Sequence, residues 1–124
     1  MKVLILEKEK TLLQSLFNLM ERYKGYEVHT AHTRREGLSL FERIPFDMVI
    51  CGDNLPDGEG LEFLKECKKK NPALISILLT VCGDESLIRQ AEHSGIEGLL
   101  VKPFDLKQLE EAICIPDCRL RNSE

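Results

Sequence analysis

Short apolar runs alternate along this chain with segments whose apolar residues recur every three or four positions. The first run is VLIL, Val3 to Leu6. Leu12, Leu13, Leu16, Phe17, Met20 and Tyr23 follow at helical spacing and predict one face of a helix that stops near Gly25. In YEVHT, Tyr26, Val28 and Thr30 alternate with Glu27 and His29, the pattern of an edge strand with one wet face. Thr33 and Glu36 form a capping box that opens a second helix, which buries Leu38, Phe41 and Ile44 and halts at Pro45.

MVIC, Met48 to Cys51, is apolar on both faces and so predicts a central strand of a covered parallel sheet. Leu61, Phe63, Leu64 and Cys67 mark a third helix ending in KKKNP, whose lysines read as a solvated face at a negative helix end. ISILL is a fourth strand, and Asp84 caps a fourth helix carrying Leu87, Ile88 and Ala91 inward, with Gly95 past its end. GLLV is a fifth strand, and Asp105 caps a last helix with Leu106, Leu109 and Ile113 inward. Five strands alternating with five helices predict a three-layer α/β sandwich with right-handed crossovers.

Composition narrows the class without changing the fold. The 124 residues, 43% hydrophobic and 31% charged, describe a single globular domain. With 17 Lys and Arg against 21 Asp and Glu, the formal charge of −4 gives no electrostatic footprint for direct nucleic-acid binding or for anionic membranes. No apolar run approaches the length of a membrane span, and MKVLILEKEK turns charged too early for a signal peptide, so the expected compartment is the cytoplasm. The five cysteines, Cys51, Cys67, Cys82, Cys114 and Cys118, form no CxxC pair and read as reduced thiols.

In open α/β sheets the working site lies at the carboxyl ends of the strands. Those ends carry Glu7, Lys8 and Glu9, then Gly52 and Asp53, then Thr80, then Lys102. Four segments, VLILEKE, DMVICGDNLPDGEGL, LLTVCGD and GLLVKPFDLKQL, stand in order around these residues. In them the chain resembles the receiver domain of two-component response regulators, from about Lys2 to Ile113. The resemblance implies a flavodoxin-like, CheY-like fold with a five-stranded parallel sheet in the order 2-1-3-4-5. It places a receiver domain at 1–114, with 115–124 a tail or the start of a linker to an output domain, beginning where Pro116 stops the last helix.

In a working receiver, the resemblance implies, two carboxylates after the first strand and an acceptor aspartate hold Mg²⁺, while the hydroxyl and the lysine bind phosphoryl oxygens. A carboxylate attacking an anionic phosphoryl group needs a divalent cation to cancel the repulsion. The family's acceptor stands five residues after the Asp that opens the third strand, four before the loop Pro and eight before the loop Gly. Counted from Asp47, Pro56 and Gly60, all three intervals end on Gly52. Asp53 is its neighbour, but one step along a strand turns a side chain to the opposite face, so Asp53 is expected to point away from the pocket unless the strand is bulged.

The acidic pair maps to Glu7 and Lys8. A like-charge contact at ~4 Å in a partly buried site costs about 4 kcal/mol, and more against a divalent ion, so Lys8 opposes Mg²⁺. The expected pocket is instead a metal-free charge cluster of Glu7, Lys8 and Lys102, with Thr80 adding a hydroxyl. Glu9 reads as a helix-opening residue favoured by the dipole rather than a ligand. The family's switch aromatic is replaced by Leu99, which has no polar tip and reads as core.

Two readings follow. In one, the chain is a pseudo-receiver that is no enzyme, binds no cofactor and presents its fourth helix, fifth strand and fifth helix to a protein partner, such as a histidine kinase or a fused output domain. In the other, Asp53 is a displaced acceptor that phosphorylates itself, with Glu7 and Asp53 recruiting Mg²⁺. The segment DNLPDGEGLEFL lacks carboxylates where a calcium loop needs them and reads as a turn. His29, His32 and His93 fall in no metal-binding spacing, and Cys82 beside Thr80 is a candidate redox thiol. No GxxxxGK or GxGxxG loop is present to serve a nucleotide.

Overall fold

The computed structural model describes residues 1–81 and 83–114, without the side chains of Leu106, Ile113 and Cys114. The expectations for Cys82, Cys114 and Cys118, for Leu106 and Ile113 as core, and for Pro116 and the tail 115–124 lie outside the described residues.

In chain order the elements are β1 (Lys2–Leu6), α1 (Lys10–Met20), β2 (Glu27–Ala31), α2 (Arg34–Arg43), β3 (Met48–Gly52), β4 (Asn54–Leu55), β5 (Gly58–Glu59), α3 (Gly60–Lys70), β6 (Ile75–Thr80), α4 (Glu85–His93), β7 (Gly98–Val101) and α5 (Leu106–Cys114). Five strands pair in parallel in the order β2-β1-β3-β6-β7, which is the 2-1-3-4-5 order of the five predicted strands. The two short strands β4 and β5 form a separate antiparallel hairpin in the loop after β3, where the sequence reading had only a turn.

Alternation along the strands builds two cores. Val3, Ile5, Met48, Ile50, Ile77 and Leu79 face α1 and α5, meeting Leu13, Leu16, Met20, Leu109 and Ala112. Leu4, Leu6, Val49, Cys51 and Leu78 face the other way, against Leu61, Phe63, Leu64 and Cys67 of α3 and Ala91 of α4. Every residue of β3 is buried, as the unbroken apolar run requires of a strand covered on both faces. Burial also pushes the Cys51 thiol well up and that of Cys67 up to about 12, so both are inert core groups.

The helix starts follow the sequence signals. Thr33 Oγ1 accepts the backbone N–H of Glu36 at 3.1 Å, and Asp84 Oδ1 that of Leu87 at 2.8 Å. Asp105 and Gln108 exchange reciprocal bonds of 2.8 and 2.9 Å at the start of α5. Each such cap is worth about 1 kcal/mol. Two expectations fail. On β2, Thr30 is exposed while His29, read as wet, lies edge-on to Phe46 with centroids 5.5 Å apart, because that aromatic covers the sheet edge. On α4, Ile88 is exposed and only Leu87 and Ala91 turn inward, since this short helix meets the sheet along a narrow stripe.

An ion pair ties α3 to the base of β7. Lys68 Nζ donates to Glu97 Oε2 at 2.6 Å and to the Leu74 carbonyl at 2.7 Å. Glu97 Oε1 accepts from the backbone N–H and the hydroxyl of Ser76 at 2.8 and 2.9 Å. Partial burial raises the Glu97 carboxyl, but the bonds from Lys68 and Ser76 outweigh it and hold the group below its ordinary 4.5. A depressed folded-state value stabilises the fold above the unfolded value, and that contribution is lost as pH falls through the folded one. Glu97→Gln is therefore expected to lower the melting temperature by roughly 5 °C at pH 7. The gap from wild type should close as pH is lowered below 4.5, as thermal melts across pH will show.

Candidate functional site

Parallel strands bring their carboxyl ends together, and here β1, β3, β6 and β7 deliver Glu7, Gly52, Thr80 and Lys102 to one rim of the sheet. Glu7 continues the face of Val3 and Ile5 and is 1% exposed. An ionised carboxylate so buried must be paired and hydrogen-bonded. Its Oε1 accepts from Lys102 Nζ at 3.1 Å, and its Oε2 accepts the backbone N–H of Glu9 at 3.0 Å. Glu9 is the N-cap of α1, so Glu7 also sits at the positive end of that helix. The Glu9 side chain makes no capping bond and is exposed.

Lys102 is held from both ends. Its backbone N–H donates to the Thr80 carbonyl at 2.6 Å, and its side chain is 16% exposed beside the 2% of Glu7. A cis peptide joins it to Pro103.

Gly52 lies on the same face as Glu7, and its missing side chain is what makes room for it. A Cβ built on Gly52 would stand 2.5 Å from Glu7 Oε1, with the next backbone atom, the Leu6 carbonyl oxygen, at an ordinary 3.7 Å. The buried glutamate therefore fills the space that a side chain at position 52 would enter. Gly60 makes the second close approach at this rim. Its N–H donates to the Asp53 carbonyl at 2.9 Å, and a Cβ there would lie 1.8 Å from the Gly52 carbonyl oxygen, so no other residue fits.

Asp53 follows the alternation rule. β3 and β6 pair one for one from Met48 opposite Ile75 to Gly52 opposite Leu79, with no bulge, and the ladder runs on through Asp53 N–H to the Leu79 carbonyl at 2.7 Å. Its side chain thus turns to the face opposite Glu7, as expected, yet it does not leave the rim. Thr80 stands next to it on β6 and faces the same way, and the Thr80 hydroxyl donates to Asp53 Oδ2 at 2.5 Å. Two carboxylates divide two donors, Glu7 with Lys102 on one face and Asp53 with Thr80 on the other.

Lys8 is a correction. It is exposed and enters none of the ion pairs among the described residues, so the expected cluster of Glu7, Lys8 and Lys102 reduces to the Glu7–Lys102 pair. The reason is that β1 ends at Leu6 and Lys8 stands in the bend between that strand and α1, beyond the part of the sheet that the helices cover. Leu99 is half-buried and packs against the core on the α3 and α4 side.

The divalent cation implied by the resemblance does not fit these residues. Position 52 offers no ligand, Lys8 puts a cation in place of a carboxylate, and both Glu7 oxygens are already engaged. Among the described residues no three His, Cys, Asp or Glu side chains converge on a common point.

One residue of the rim escaped the sequence reading. Asp57, at the tip of the β4–β5 hairpin, accepts the backbone N–H groups of Arg34 and Arg35 at 2.7 and 3.0 Å and so caps α2 from a distance. The Arg34 bond, with that of Arg35, holds its carboxyl below the usual value despite some desolvation. Arg34 in turn donates to Glu66 of α3 at 2.7 Å, fixing the hairpin between two helices. Nothing local in DNLPDGEG marks this role, because the partner N–H groups lie more than twenty residues away.

Comparison with known proteins adds the family context. A model of the response regulator receiver domain matches residues 3–114. The response regulator protein PilR of Pseudomonas aeruginosa is 31% identical over 99% of this chain, which covers 27% of PilR. A probable chemotaxis protein CheY of Rhizobium etli is 28% identical over 90% of this chain and 88% of its own length. The crystal structure of a CheY-like receiver domain protein from Methanospirillum hungatei JF-1 superposes with a TM-score of 0.86 at 27% identity, covering 99% of this chain and 98% of that one. The chain spans about a quarter of the length of the longer regulators it matches.

The buried pair makes an energetic prediction. Removing one partner leaves an uncompensated charge, at about 3–5 kcal/mol for a fully buried pair and less where the lysine touches solvent. Glu7→Gln and Lys102→Met are each expected to cost about 2 kcal/mol, and the double variant distinctly less than their sum. Chemical denaturation of the four proteins reads that coupling directly.

Proposed function

Since this chain belongs to the response regulator receiver domain family, we propose that it works as a pseudo-receiver, signalling through protein contacts rather than through phosphorylation. The carrying observation is the Gly52–Glu7 arrangement. The position aligned with the acceptor has no side chain, and the space beside it holds a carboxylate already bonded to Lys102 and to Glu9. A phosphoryl group would have neither a nucleophile at Gly52 nor a free ammonium at Lys102, and no cation site to neutralise it. On this reading the chain is not an enzyme and takes no metal.

The face formed by α4, β7 and α5 is the proposed contact surface. Val81, Ile88 and Val101 are the exposed large hydrophobic residues among those described, and they lie on or beside that face. The partner is a protein, either a histidine kinase or an output domain fused beyond this segment. Nucleic acid is not a direct ligand, in keeping with the formal charge of −4. No described helix is long and apolar enough to cross a membrane, and the cytoplasm is the proposed compartment.

One observation favours a second reading. Asp53 is only partly buried and its carboxylate touches the Thr80 hydroxyl, so a nucleophile lies at the rim one residue beyond the acceptor position. Intact mass after incubation with a small phosphodonor and Mg²⁺, on wild type and Asp53→Asn, separates the two. The proposal expects no phosphoryl adduct on either protein. An adduct on wild type that disappears in Asp53→Asn makes Asp53 a displaced acceptor and the domain a live switch.

A further inference from the structure

We propose that Glu7 is the resident occupant of the acceptor seat and that Gly52 is the residue that positions it there, so that the two replacements act as one. This deepens the pseudo-receiver reading and rests on it for its functional meaning, though its geometry stands alone. Glu7 is buried to 1% exposure, and its oxygens hold Lys102 Nζ and the Glu9 N–H. The carboxylate oxygen that bonds Lys102 lies in the space in front of position 52, where a Cβ would meet it at 2.5 Å.

What a side chain at position 52 would displace decides the consequence. The near atom is the end of a glutamate side chain, while the nearest backbone atom is 3.7 Å away, so the strand itself tolerates a Cβ. Gly52→Ala therefore leaves β3 in place and drives Glu7 off Lys102. The ammonium, 16% exposed in the native pair, then loses its counter-ion and turns to solvent. Lys102, and with it the loop between β7 and α5, is held by a carboxylate of the chain's own rather than by a group delivered from outside. The occupied seat fixes one state of the rim, and reinstating an acceptor requires two changes, not one.

The test uses the whole chain. Amine-reactive labelling followed by mass spectrometry compares Lys102 with exposed Lys8 in wild type and Gly52→Ala. Lys102 is expected to label far more slowly than Lys8 in wild type and to lose most of that protection in Gly52→Ala. Undiminished protection in a folded Gly52→Ala protein overturns the proposal. A second measurement reads stability instead of labelling. Glu7→Asp shortens the arm, so it should lower the melting temperature of wild type but raise that of Gly52→Ala; lowering it in both backgrounds also overturns the proposal. The two readings fail separately. Phosphoryl uptake at Asp53 with Lys102 still governed by Gly52 refutes the pseudo-receiver and supports the Glu7 seat, whereas no uptake with Lys102 indifferent to Gly52 does the reverse.

Discussion

A carboxylate at 1% exposure needs a cation and hydrogen-bond donors to meet it, and the rim of this sheet is arranged around that demand of Glu7. The cation comes from the far end of the chain, Lys102 after β7, and the donor comes from the residue that opens α1. Both are available because parallel strands deliver all their carboxyl ends to one side. The room is available because β3 ends in glycine. The bridge skips from β1 across β3 and β6 to the loop after β7, so it binds the sheet across its width where no ladder hydrogen bond reaches.

The period of two then sets what else the rim can do. Glu7 and Gly52 share the face toward α1 and α5, whereas Asp53 and Thr80 share the face toward α3 and α4, and an unbulged β3–β6 register keeps the two sets apart. The Lys102 ammonium and the Thr80 hydroxyl each have a carboxylate of the chain as partner. The backbone is equally committed, because Gly60 packs against the Gly52 carbonyl too closely to admit any side chain. The loop beyond is pinned by Asp57 on the α2 N-terminus and by Arg34 on Glu66. The buried Glu7–Lys102 pair makes this part of the rim resemble the core of a protein more than an open active site.

The fold was legible because its signals are local. Thr33 with Glu36, Asp84 and Asp105 announce helix starts from within four residues, and MVIC announces a strand covered on both faces. Three agreeing intervals put the expected acceptor position on Gly52, where β3 ends, and strand period alone gives the unbulged direction of Asp53. The partners of the side chains were not legible. Lys8 joins the charge cluster in the sequence reading because sequence gives neighbours along the chain, whereas Glu7 is buried and Lys8 lies exposed in the bend beyond β1. That Asp53 stays at the rim depended on which β6 residue stands next to it, and the Asp57 cap on contacts more than twenty residues apart. His29 and Ile88 departed from their expected faces for the same reason: period predicts direction, but only the packed neighbours decide what is covered.

One relation was present in the sequence and needed the structure to be seen. Glu7 is a longer residue where the family resemblance implies a shorter one, and Gly52 is a smaller residue where it implies a larger one. Across adjacent strands β1 and β3 the longer Glu7 reaches the space that Gly52 leaves open and pairs with Lys102. That pair also serves the fold, because the lysine at the end of β7 would otherwise be a largely buried cation without a counter-ion. On the pseudo-receiver proposal the ion pair is a structural requirement of the rim that stands without the chemistry a working receiver hosts there.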